Sequence, residues 1–239
     1  KGTNYQRYTL QSKQDFKKGI FSAGTNVVLT YNQSNPLYSI VRGGMVGHAI
    51  QAIPTWERYD ASRVGGYGAL YGDVVNLTHP LGMVDENLMK RYNENVKIYA
   101  NAYVSVEFLK GLKYKLNLTP DFQFYRYNDY NGVYDFGLAT NQLTSVTEQQ
   151  TRRRNVLVEN LLTFDQTFGD HKISVLAGYT YQDSRYRYMQ GSGQGMPTGI
   201  MEIDAAAQGL AVSGNSSRSV LTSILGRAFY SYKNKYLLT

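Results

Sequence analysis

Cysteine is absent from the 239 residues, which excludes a disulfide framework, a thiolate nucleophile and any cysteine metal site. Long apolar runs are missing as well. No stretch approaches the roughly 18 consecutive apolar residues of a membrane helix, so a membrane could be crossed here only by strands. Proline is sparse at 5 residues, whereas Gly (23) and Tyr (22) are abundant. Glycine marks turns, and tyrosine collects where an apolar phase meets water. The formal net charge is +7, but Lys and Arg are scattered through the chain without forming one stripe, so nucleic acid is not an expected partner. The mean hydropathy of -0.40 with 42% hydrophobic residues is not that of an average soluble domain.

What is present is alternation. From Val96 to Phe124 the sequence reads as one long β-hairpin. Val96, Ile98, Ala100, Ala102, Val104, Val106 and Phe108 fall on one face, and Lys97, Tyr99, Asn101, Tyr103, Ser105 and Glu107 on the other. The return strand alternates in the same way, with Leu112, Tyr114, Leu116, Leu118, Pro120, Phe122 and Phe124 against Lys113, Lys115, Asn117, Thr119, Asp121 and Gln123. Strict period two identifies a sheet with one apolar and one polar side. A three-residue turn through Leu109, Lys110 and Gly111 keeps the faces in step, setting Phe108 opposite Leu112 and Glu107 opposite Lys113.

The pattern repeats along the chain. A first strand is expected over Asn4 to Phe16 and a second from Phe21 to Asn32, joined at Lys17, Lys18 and Gly19. Strands from Arg152 to Phe168 and from Ile173 to Gln182 flank a turn at Gly169, Asp170 and His171. A last full strand, Arg218 to Tyr232, turns at Lys233, Asn234 and Lys235 into the start of another. Three long polar connections are expected at about 33–91, 127–150 and 189–217. Short turns therefore all fall at one end and long connections at the other. Strands of roughly 14 residues, tilted near 40°, span more than the ~25 Å apolar band of an outer membrane. Aromatics near the strand ends, such as Phe16, Tyr31, Phe168 and Tyr230, match two interfacial girdles. A soluble β-sandwich fits less well, because its strands run to about five or six residues. The expected fold class is thus all-β, a transmembrane antiparallel β-barrel of which about seven to eight strands are present. The chain opens at Lys1 without a signal peptide and closes inside a new strand, so it is expected to be an interior piece of a longer protein.

Signals of catalysis are weak, and an enzyme is not expected. Gly191, Gly193 and Gly195 imitate a phosphate loop but lack a surrounding βαβ pattern, and are expected to be flexible loop. His48, His79 and His171 are far apart in sequence, without metal-ligand spacing. No Ser-His-Asp grouping is evident, and no cofactor or metal is expected.

The segments ENLLTFDQTFGDHKISVLAGYTYQ (159–182), SILGRAFYSYKNKYLLT (223–239) and FLKGLKYKLNLTPDF (108–122) resemble the barrel region of SusC/RagA-type TonB-linked outer-membrane transporters of the Bacteroidetes. The resemblance implies a twenty-two-stranded barrel plugged by an N-terminal domain, of which this chain is about a third. It also implies a SusD-like lipoprotein lid, coupling to TonB through an N-terminal region, and location in the bacterial outer membrane. The implied function is active import of an oligomeric nutrient, glycan or peptide. The alternative is a barrel of the same type serving as a structural subunit of a larger outer-membrane assembly without transport.

With the long connections extracellular, Trp56, Tyr59, Tyr67 and Tyr71 form the candidate ligand- or lid-contacting cluster, since aromatic faces stack on sugars and pack on peptide side chains. Packing within the loop itself is the plainer reading. Asn101, Glu107, Lys113, Asn117 and Asp121 are expected to face the lumen. Arg152, Arg153 and Arg154 are candidates for contact with lipopolysaccharide phosphate or an acidic partner, against the plainer reading of a solvated strand end.

Overall fold

In the computed structural model, residues 3–36, 44–69, 79–137 and 139–238 are described. Among the described residues ten strands form in chain order: β1 (Asn4–Lys18), β2 (Phe21–Asn35), β3 (Met89–Leu109), β4 (Leu112–Asn131), β5 (Tyr134–Asp135), β6 (Thr140–Asn141), β7 (Ser145–Phe168), β8 (His171–Gln194), β9 (Gln208–Tyr232) and β10 (Tyr236–Leu238). Eight of them make one antiparallel meander, β1-β2-β3-β4-β7-β8-β9-β10, with β1 and β10 at its edges, while β5 and β6 pair separately. A helix α1 (Gly44–Gln51) and a 3-10 turn (Gly82–Val84) lie between β2 and β3, and a second 3-10 turn (Ile203–Ala205) between β8 and β9.

All four tight turns sit at one end, and their registers follow from glycine and asparagine placement. Lys18 pairs with Phe21 around Gly19 and Ile20, Phe168 with His171 around Gly169 and Asp170, and Tyr232 with Tyr236 around Lys233, Asn234 and Lys235. Lys233 and Asn234 take φ 53 and 55, the left-handed conformation that tight hairpin turns require. The β3–β4 turn differs from expectation. Glu107 does face Lys113, but Leu109, not Phe108, faces Leu112, with a bulge between Glu107 and Leu109. The loop is therefore two residues, Lys110 and Gly111. The bulge costs one unpaired residue and keeps the faces in step. Gly111 is held at φ +83, and a Cβ there would stand 2.1 Å from the Asp165 carbonyl, which accepts no side chain in its place.

The strands outrun the sequence expectation. β7 and β8 are 24 residues each and β9 is 25, so at about 3.3 Å per residue the first two run about 80 Å. The connections shrink accordingly. The ladder between β4 and β7 continues to Asn131 and Ser145, not 127 and 150, and that between β8 and β9 reaches Gln194 and Gln208, not 189 and 217. Gly191 and Gly193, expected in loop, are paired residues of β8, and only Gly195 lies beyond it.

Cross-strand pairing carries the two faces across the sheet. Tyr31 pairs with Val96, Val96 with Phe124, Leu118 with Val158, and Val158 with Tyr181. Two pairs of partners are skipped, where Ala100 lies opposite Pro120 and Asn101 opposite Thr119; proline has no N–H to offer the ladder there. The apolar face is open. Leu29, Val104, Leu118, Leu162 and Ile224 are all exposed, Ile224 by 88%. Among the described residues the buried apolar side chains are Met83, Leu88, Met89, Tyr130, Phe136, Val146 and Met196, all at the long-loop end. A sheet that leaves this much contiguous apolar surface uncovered requires an apolar surround, which a bilayer supplies.

Candidate functional site

Two small cores cap the long-loop end. In the first, Met83, Leu88, Met89 and Phe136 pack with Tyr67, Tyr134 and Ala139, joining the connection after β2 to the one after β4. Met89 has the same parity on β3 as Asn101, so this core sits toward the polar face. In the second, Tyr130, Val146 and Met196 pack with Met201, Ile203, Ala205 and Ala206. Tyr130 and Val146 share the parity of Leu118 and Val158, so the β8–β9 connection folds over the apolar face at its upper rim. The Gly199 N–H donates to the Tyr130 hydroxyl at 3.3 Å, and the Thr144 hydroxyl to the Met196 carbonyl at 2.7 Å.

Three of the four aromatic candidates gather on the first core; Tyr71 lies outside the described residues. Trp56 donates its indole N–H to the Gly68 carbonyl at 3.1 Å and meets His79 edge-on at 4.8 Å. Tyr67 stands 5.6 Å from Tyr59, 5.1 Å from His79 and 6.0 Å from Phe136, and its hydroxyl donates to Asp85 at 3.0 Å. Burial and the Asp85 carboxylate push the Tyr67 phenol up to about 12, so it stays a donor at any physiological pH. Trp56 and Tyr67 are thereby committed to loop packing. Tyr59, 66% exposed, keeps much of its surface free.

His79, placed by sequence among unrelated histidines, is the hub of this cluster. It is buried, and its Nε2 lies 3.3 Å from the Glu57 carbonyl. A carbonyl only accepts, so Nε2 carries the hydrogen and Nδ1 is the bare nitrogen. Nδ1 has no hydrogen-bond partner among the described residues. Burial holds the imidazole below its ordinary range, keeping it neutral. Ion pairs brace the surround: Arg63 bridges Asp60 at 3.2 Å and Asp135 at 3.0 Å. The Ser62 hydroxyl and N–H, with Arg63, hold the Asp60 carboxyl below the usual carboxylate range.

The five polar-face candidates are not a single cluster. Asn101 donates to Asn117 at 2.9 Å and to Thr119 at 2.7 Å, and Asn117 donates to Glu159 at 2.7 Å. Asp121 pairs with Lys97 at 3.3 Å. Glu107, the cross-strand neighbour of Lys113, accepts a bond from the Gly111 N–H at 3.2 Å. The network is an ordered wall of bonded polar groups, continued upward by Arg91 and Asp129 at 3.0 Å.

The arginine triplet divides. Arg153 lies on the polar-face side, its guanidinium 5.6 Å from the Tyr186 ring centroid, whereas Arg152 and Arg154 lie on the apolar-face side, opposite Phe124 and Phe122. Sequence reading missed Arg185, Arg187, Arg218 and Asp183, which pairing brings beside them. The signal available was parity: on each of these strands the residue carries the phase of the apolar set.

An all-β meander with a bilayer-matched apolar face, a bonded polar face, tight turns at one end and packed loops at the other is the wall of a transmembrane barrel. No family model matches the chain. It is 24% identical over 250 residues to the TonB-dependent receptor P3 of Formosa agariphila, covering 99% of this chain and 24% of that receptor. It is 23% identical over 244 residues to the TonB-dependent receptor P39 of the same organism, covering 100% and 22%. The chain thus spans about a quarter of the relatives it matches. Among solved structures, a RagAB peptide transporter superposes with a TM-score of 0.77 at 14% identity, over 97% of this chain and 26% of that one. The closed-closed state of the RagAB peptide importer gives 0.76 at 15%, over 96% and 26%. The fold is that of a segment of such a barrel, and the resemblance to SusC/RagA-type TonB-linked barrels is borne out.

Proposed function

We propose that this chain is wall and cell-surface loops of a TonB-dependent importer that carries an oligomeric nutrient across the bacterial outer membrane with a SusD-like surface lipoprotein, without a chemical step on its cargo. The carrying observation is the pairing of an exposed apolar face with a hydrogen-bonded polar face, Asn101 to Asn117 to Glu159, over strands longer than a bilayer. In this reading the polar face lines the lumen and meets the plug, the tight turns are periplasmic, and the two loop cores stand at the cell surface. TonB acts on a region outside this chain.

The structural neighbours are a peptide transporter and a peptide importer, and of the two nutrient classes peptide is the one we favour. The exposed ring of Tyr59 is the part of the aromatic cluster available to cargo or lid. The test is uptake by cells carrying the full-length receptor, with labelled oligopeptides and oligosaccharides offered separately, with and without functional TonB. TonB-dependent uptake of either supports import. Uptake of neither, with the receptor present in the outer membrane, would replace import with a structural role.

A further inference from the structure

The apolar face changes character abruptly toward the loop end of β7–β9. On β7 the outward residues run Phe164, Leu162, Asn160, Val158, Val156, then Arg154 and Arg152. On β8, Tyr179 and Tyr181 are followed by Asp183, Arg185 and Arg187, and on β9, Val220 by Arg218. Register sets Arg154 beside Arg185, Arg185 beside Arg218, and Arg152 beside Arg187. From Phe164 to Arg154 is ten residues, about 33 Å of strand, or about 25 Å along the normal at a typical 40° tilt. That is the height of the apolar band, so the arginines stand at its far interface.

Internal pairing does not account for them. The buried Asp183 takes Arg218 through two bonds at 3.1 Å, Arg185 at 3.1 Å and Arg154 at 3.6 Å. Three guanidinium groups thus share one carboxylate, and neither Arg152 nor Arg187 beside them has an ion pair among the described residues. Like charges aligned across strands repel, and a stable cluster of them calls for an external anion. Planar guanidinium groups in a row suit phosphate, which they bind bidentately. Phe122 and Phe124 line the same shallow open groove, so the anion must come with an apolar part. Basic clusters at a membrane interface recognise phosphorylated lipid headgroups by this combination.

We propose that Arg152 and Arg187, together with Arg154, Arg185 and Arg218 braced by Asp183, form a site for the headgroup phosphates of an outer-leaflet glycolipid, with Phe122 and Phe124 against its first acyl carbons. The site rests on the reading of this chain as an outer-membrane wall with its long loops at the cell surface. Arg153, directed to the other face, takes no part.

The experiment uses the full-length receptor, extracted from outer membranes in mild detergent, with bound lipid counted by native mass spectrometry. The probe is lipopolysaccharide, intact or stripped of its headgroup phosphates. Wild type and R153Q are expected to retain the phosphorylated form, and R152Q/R187Q to retain it at least tenfold less, since those two arginines have no ion pair with Asp183 to lose. Equal retention by R152Q/R187Q and wild type overturns the site, as does equal binding of the stripped lipid. Displacement of all bound lipid by millimolar inorganic phosphate would make free phosphate the ligand and overturn the lipid assignment. Failure to recover the receptor in the outer-membrane fraction would instead remove the wall reading beneath it.

Discussion

The ring of Phe136 closes against Gly82 so tightly that a Cβ built on that glycine would stand 2.4 Å from the ring's Cζ. The contact ties the connection after β2 to the one after β4, with Phe136 fully buried at 0% exposure. Gly82→Ala therefore forces the ring out of a packed site, an overpacking cost of about 1–3 kcal/mol. The strands are untouched by it. Hydrogen exchange is expected to quicken in the loop amides, including Met83, Val84 and Phe136, by roughly tenfold or more, while β7 and β8 keep their protection. Unchanged loop protection would mean that the two connections are held by something other than this core.

His79 sets a pH dependence for the same loops. Its folded-state value is depressed by burial, so the neutral ring contributes stability that is fully present above the unfolded value of about 6.5. As pH falls below that value, the opened loop takes up a proton that the packed loop resists, and stability is lost. Trp56, 4.8 Å from the His79 ring, reports the change. Subtracting the fluorescence of a Trp56→Phe receptor isolates its signal, which is expected to shift as the pH falls below about 6.5 and to stay flat there in His79→Gln.

How much of this could be read beforehand follows from what alternation measures. Period two between Val96 and Phe124 is legible because one side meets lipid and the other polar groups. Above the apolar band both sides meet water or loop, and the period vanishes while the ladder continues. Asn128 and Asp129 on β4, Glu148 to Gln150 on β7 and Asn215 to Ser217 on β9 read as loop for that reason, yet all are paired. Hydrophobic phase reports the surround, not the backbone bonds. The aromatic cluster was half legible: Trp56, Tyr59 and Tyr67 are near one another in sequence, but Phe136 joins them from more than fifty residues away, and no local pattern marks His79 as their neighbour. Asp183 and its arginines are invisible to any single strand, because only register brings β7, β8 and β9 together.

Asn117 is the bridge of the polar wall, receiving a bond from Asn101 at 2.9 Å and giving one to Glu159 at 2.7 Å. Replacing it with alanine strands the Glu159 carboxylate on a half-buried wall, a loss of about 2 kcal/mol for a hydrogen bond to a charged group. Asn117→Asp costs more, because it sets a second carboxylate against the first. Denaturant midpoints of the purified barrel in detergent are expected to fall in the order wild type, Asn117→Ala, Asn117→Asp. A reversed order of the two variants would show that Glu159 is screened from its neighbour.

Asp183 carries a different kind of dependence, because its partners outnumber it. Removing the carboxylate, in Asp183→Asn, leaves Arg154, Arg185 and Arg218 in register with one another and with no internal anion. With the carboxylate gone, the half-exposed guanidinium groups repel one another with nothing to offset it, whereas deleting both sides of the cluster removes the repulsion as well. Asp183→Asn is therefore expected to lower the denaturant midpoint more than the quadruple change Asp183→Asn, Arg154→Gln, Arg185→Gln and Arg218→Gln, which removes the repulsion with the attraction. Added salt separates the two cases further. Screening relieves repulsion among exposed guanidinium groups, so raising the salt concentration restores part of the single variant's loss and leaves the quadruple variant where it was. A single variant no less stable than the quadruple one would mean that the arginines already turn to an outside anion, and the midpoint of Asp183→Asn would then depend on phosphorylated lipid in the detergent micelle instead of on salt.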